Sequence, residues 1–118
     1  WQMFPRDETV VEMIRDGRWS RPPHPVDWAI MPNFAYPLAI RRDAETGLVA
    51  IVMSRPEDCF AIATPYSGEG HRSIYFSLFG RDMEPEQPVT ARVRLVIGHS
   101  LNDEAIIRRY QAYAREED

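Results

Sequence analysis

From Leu38 onward, apolar and polar positions alternate with the two-residue period of a β-strand. "LAIRRD" and "LVAIVMS" flank "AETG", where Gly47 can take a positive φ, so these runs predict a hairpin. "DCFAIATPY" predicts a third strand stopped by Pro65. "HRSIYFSLFG" predicts a fourth, and "VTARVRLVIG" a fifth stopped by Gly98. Turn-rich stretches, "PYSGEG" and "RDMEPEQP", join these runs in place of helices, which predicts an antiparallel meander over residues 38–98. The period then changes. In "HSLNDEAIIRRYQAYAREED", Ile106, Tyr110 and Tyr113 fall at i, i+4 and i+7. Ser100 or Asn102 can cap this C-terminal helix (99–118), and Asp103 and Glu104 suit its positive end.

Residues 1–37 read differently. "FPRDETVVEMIRDG" predicts a short helix capped by Asp7, with Val10, Val11 and Ile14 apolar and Gly17 as the stop. "RWSRPPHPVDWAIMPNFAYP" carries Pro22, Pro23, Pro25, Pro32 and Pro37 among Trp19, Trp28, Phe34 and Tyr36. Proline this dense excludes a helix or a central strand, yet the aromatic rings need burial. The expectation is an irregular arm that packs its rings on the body. The fold class is therefore mainly β, with minor α: an antiparallel β-sandwich of about five or more strands, a short N-terminal helix, the arm and a C-terminal helix.

At 118 residues, one domain with one core is expected. The net charge of −4 argues against a nucleic-acid or acidic-membrane partner. All 14 basic residues are arginine, a bias that fits coding composition better than any single site. No run of apolar residues is long enough to cross a membrane, and no signal peptide is visible. The chain begins at Trp1, as a processed product or a piece of a longer protein does. Cys59 has no partner for a disulfide and, inside a strand-like run, is expected to be a buried, inert thiol.

The fourth run places Ile74, Phe76 and Leu78 on one face and His71, Ser73, Tyr75, Ser77 and Phe79 on the other. The fifth places Ala91, Val93, Leu95 and Ile97 on one face and Thr90, Arg92, Arg94 and Val96 on the other. If these two strands pair core face to core face, His71, Ser73, Tyr75, Ser77, Arg92 and Arg94 converge, cross-strand neighbours standing about 5 Å apart. The plain reading is a solvated face with its rings covered by the arm or the helix. The functional reading is a sugar site, in which aromatic planes meet C–H faces and Arg, His and Ser bond hydroxyls. Its ligand-binding residues are Tyr75, Ser73, Arg92, Arg94 and Trp28, with Trp19 and Trp28 as candidate stacking platforms. His71, after the "SGEG" loop and two residues past Glu69, is the candidate catalytic acid or base, set against a surface or capping histidine.

Other chemistry is poorly supported. His24, His71 and His99 lack metal-ligand spacing, so no metal is expected. No phosphate-binding or dinucleotide-binding glycine loop is present, and no cofactor is expected. No serine sits in a nucleophile elbow. "SRPPHPVDW" has the composition of a proline-rich recognition segment, but packing on its own domain is the simpler reading.

"HRSIYFSLFGRDMEPEQPVTARVRLVIG", followed by a terminal helix, resembles the closing segment of galactose-mutarotase-like (supersandwich) β domains. The likeness covers roughly Leu38 to Tyr113 and is one of pattern. It implies carbohydrate recognition on a concave sheet face and, in epimerase members, a His and Glu acid/base pair, of which His71 alone is carried over. A chain this short would form an incomplete sandwich with an open edge. The expected function is sugar binding, or the terminal part of a carbohydrate-active enzyme. The alternative is a non-catalytic interaction or oligomerisation module, pairing through open sheet edges with its own copy or with a missing portion of a larger chain.

Overall fold

The computed structural model describes residues 1–20, 27–65, 73–79 and 83–116. Among them the chain is mainly β, with two helices and two sheets. The strands are β1 (Gln2–Met3), β2 (Ala29–Ile30), β3 (Leu38–Arg42), β4 (Leu48–Ser54), β5 (Cys59–Ala63), β6 (Tyr75–Leu78) and β7 (Val93–His99). The helices are α1 (Glu8–Arg15) and α2 (Asp103–Ala114). Neither is long and apolar enough to cross a membrane.

Both helices start where side-chain chemistry dictates. The Asp7 carboxylate accepts from the backbone N–H of Thr9 at 2.8 Å and of Val10 at 3.4 Å. Asn102, not Ser100, caps α2, its Oδ1 accepting from the Ala105 N–H at 2.9 Å. Each bond satisfies a donor that the first turn would otherwise leave unpaired. Gly17, past α1, has φ +77°, and Gly47, in the β3–β4 turn, has φ +74°, the left-handed geometry expected of both.

The strands do not form a meander. β3, β4 and β7 make one antiparallel sheet with β4 in the centre; β2, β1, β5 and β6 make the other, in that order. The chain changes sheets between β4 and β5, in a turn closed by Cys59 N–H donating to the Arg55 carbonyl at 3.2 Å. Local alternation reports that strands exist, not which of them pair. The arm is also less irregular than its prolines suggest. It supplies β2, which pairs in parallel with β1, the strand ahead of α1, and β1 then pairs antiparallel with β5. Two-residue strands are too short to leave an alternation signal.

α2 lays Ile106, Tyr110 and Tyr113 on Val49, Ile51 and Met53 of β4, as the helical stripe predicts. A second cluster joins the two sheets: Ala39 of β3 meets Cys59 and Ile62 of β5 and Phe4, with Ile74, Phe76 and Leu78 packed against it. That triplet was expected to face the core. The other face of the four-stranded sheet packs Met3 and Ala61 against Val11 of α1, with Ile14, Trp28 and Phe60 around them.

β7 presents the face opposite to the one expected. Arg94, Val96 and Gly98 register with Met53, Ile51 and Val49 on the α2 side, while Val93, Leu95 and Ile97 are exposed. The approach to α2 explains the choice: a Cβ on Gly98 would stand 2.4 Å from Leu101, so the chain can fold back onto this side only over a glycine.

Cys59 is buried, as expected, and burial pushes its thiol up to about 12. It should not react with a disulfide reagent at pH 8 in the native protein and should react fully once unfolded in urea. Native labelling at the rate of a free thiol would contradict this burial.

Candidate functional site

The expected convergence of polar groups does not form, because β6 pairs with β5 and β7 with β4, in separate sheets. Arg94 lies on the α2 side, where its guanidinium donates to both carboxylate oxygens of Glu116, at 2.7 and 2.6 Å, and sits 4.6 Å over the Tyr113 ring. Arg92 lies just before β7. Its N–H donates to Asp58 at 2.9 Å, and its carbonyl accepts from Ser54 Oγ at 2.8 Å and Tyr113 OH at 3.2 Å. Both arginines thus help to dock the C-terminal helix. Ser73 offers its carbonyl to Arg41, which also holds the Pro65 carbonyl, at 3.1 and 3.0 Å. His71 and Glu69 lie outside the described residues.

The bidentate bond from Arg94, aided by its charge and that of Arg55, holds the Glu116 carboxyl below its ordinary 4.5. A carboxylate lowered on folding contributes stability above its unfolded value and loses it as pH falls through the folded value. Wild type should therefore lose more of its urea midpoint between pH 6 and pH 3 than Glu116→Gln does. Equal losses would show that this pair does not contribute.

The other two sequence candidates, Trp28 and Tyr75, lie at the two edges of the four-stranded sheet, with Trp1 between them. The register of the four-stranded sheet sets Gln2 opposite Ala29 on one side and Ile62 on the other, and Ala63 opposite Tyr75. Continued by one residue, it aligns Trp28, Trp1, Ala63 and Tyr75 in one row across the ends of all four strands. The ring centroids agree: Trp1 stands 5.9 Å from Trp28 and 6.4 Å from Tyr75. Ala63 is the one small side chain in that row, and beside it the surface opens into a cleft of about 560 Å³. Trp1, Gln2, Asp27, Thr64, Pro65 and Tyr75 are among its lining residues.

Trp28 does not line the cleft. It packs among Trp1, Trp19 at 5.5 Å and Phe60 at 5.9 Å, and so backs the Trp1 indole. Trp19 and Trp28 pack on Phe60, and Tyr36 on Tyr110, as expected of the arm, but Phe34 is 82% exposed; the indole that lines the cleft is that of Trp1. Sequence reasoning missed Trp1, Asp27 and Ala63, because only the pairing of β1 with both β2 and β5 brings them together. The cleft is mostly apolar, with two aromatic rings, one carboxylate, one amide and two hydroxyls, those of Thr64 and Tyr75, among its lining groups. Such a lining can stack against a planar apolar face and exchange hydrogen bonds with a ring of hydroxyls. No protein-family model matches this chain, and no curated protein or solved structure shows significant similarity to it.

Proposed function

We propose that this chain is a carbohydrate-related β-sandwich domain of galactose-mutarotase-like kind that binds a sugar in the Trp1–Tyr75 cleft. The observation that carries this reading is the aromatic row across Ala63, which sets the Trp1 and Tyr75 rings side by side along a cleft with polar groups at its margin. Its volume lies in the range of small-ligand sites, roughly 300–1,000 Å³. The hydrophobic cluster shared by both sheets supports the sandwich arrangement. In this site Trp1 and Tyr75 take the apolar C–H faces of the sugar, and Asp27, Gln2 and Thr64 bond its hydroxyls.

Saturation-transfer NMR with D-glucose and D-galactose tests the proposal. Transfer to ring protons of at least one sugar is expected in wild type. Tyr75→Ala should weaken binding at least tenfold, about 1.4 kcal/mol. Ala63→Leu should do the same by filling the cleft while leaving both rings in place. No transfer to either sugar at ~50 mM, a concentration that detects even affinities weaker than millimolar, would remove the proposal.

A further inference from the structure

We propose that the half of the three-stranded sheet's α2-distal face that the other sheet leaves open is a self-association surface, where two copies of this chain pack Leu95 and Ile97 against each other about a two-fold axis. This surface is separate from the cleft. Val93, Leu95 and Ile97 are 45%, 63% and 61% exposed, and Leu48, at the end of β4, is 47% exposed. Val52 and Ala50 of β4 stand opposite Leu95 and Ile97 and continue the apolar surface inward. The four-stranded sheet covers this face only near β3, where Ala39 is buried against Phe4, Cys59 and Ile62.

Exposed edge strands are usually blunted by proline, a bulge or a charge on the open face. β7 has none of these. Its pairing with β4 runs unbroken from Leu48↔His99 to Ser54↔Val93, and its one arginine, Arg94, is held on the opposite face by Glu116.

Charge and symmetry favour a second copy as the occupant, and the area sets how strongly it binds. The middle of the patch is uncharged. Arg41, on the same face, lies on the far strand β3 and is engaged by the Pro65 and Ser73 carbonyls. His99 lies at the near end, bonded to the Thr46 carbonyl at 2.6 Å. Two copies therefore meet without like charges opposed at the centre. Leu95 and Ile97 are equal in volume and about 7 Å apart along the strand. A two-fold axis between them sets each against the other residue of the second copy, a self-complementary fit. The exposed side chains amount to on the order of 400 Å² per copy, near the most that a monomer leaves open. Two such patches give roughly 800 Å², below the ~1,200 Å² at which standard interfaces begin. The patch thus fits a weak, reversible dimer, with a Kd on the order of 100 μM.

Sedimentation velocity of the 118-residue chain from ~10 μM to ~1 mM, spanning that Kd, tests this. The weight-average mass should rise from 13.7 kDa towards twice that value. Leu95→Glu should weaken association at least tenfold, and so should Ile97→Thr, which keeps a strand-forming residue. Circular dichroism of both variants should match wild type. A wild type that stays monomeric at the highest concentration overturns the proposal. So does association that both variants retain in full, which would place the contact elsewhere, for example between strand edges.

Discussion

Tyr110→Ala is expected to cost about 3–5 kcal/mol, a large part of the 5–15 kcal/mol that holds a typical domain together. Tyr110 is 1% exposed and lies in the middle of the cluster between α2 and β4, with Tyr36 stacked on it at 4.6 Å. Removing its ring leaves a cavity bounded by Ile51, Met53 and Ile106, none of which can collapse far. Tyr110→Phe separates ring from hydroxyl. That hydroxyl is buried without a hydrogen-bond partner among the described residues, and burial pushes its ionisation up to about 12. Dropping an unpaired buried polar group relieves a desolvation cost. The phenylalanine variant should therefore equal or exceed wild type, by up to about 1 kcal/mol. Urea denaturation of the pair decides the point. A Tyr110→Phe loss comparable to that of Tyr110→Ala would show that the hydroxyl holds the core and the ring does not.

Met3→Ala is the second large effect, about 2–5 kcal/mol. Met3 is fully buried where β1 runs between β2 and β5, against Val11 and Ala61. Its carbonyl accepts from the Met31 N–H at 2.8 Å, and the next residue, Phe4, donates to the Phe60 carbonyl at 3.0 Å. An N-terminal segment that merely draped over the surface would lose less than 1 kcal/mol on truncation of one side chain. The unfolding midpoint in urea distinguishes these cases. Tryptophan emission should redden as well, because Trp28 packs on the same cluster.

What the sequence makes legible follows from the range of the interaction involved. Asp7, Gly17, Gly47, Asn102 and the Ile106–Tyr110–Tyr113 stripe act within a few residues of themselves, and each is found in the role its local chemistry predicts, Asn102 as one of two candidate caps. Ile74, Phe76 and Leu78 are likewise readable from a two-residue period. Pairing is not local. Nothing within "VTARVRLVIG" says that β7 joins β4, or that Gly98 must lie under Leu101, so the buried face of that strand was assigned the wrong way round. The candidate site followed the same division. Tyr75 and Trp28 carry the chemistry that stands out in the sequence, but the side chains that complete the row, Trp1 and Ala63, come from the residue before a two-residue strand and the end of β5. Arg94 looked available because its partner, Glu116, lies 22 residues further along the chain.

The most direct measurement is a two-dimensional NMR titration that follows the indole N–H signals of Trp1, Trp19 and Trp28, assigned by single Trp→Phe replacements, as D-galactose or D-glucose is added. The cleft account predicts that the Trp1 signal moves most, that Trp28 follows weakly through its contact with Trp1, and that the Arg94 side-chain signal stays fixed. A Trp1 signal that does not move while sugar binds, or a response centred on Arg94, would contradict it.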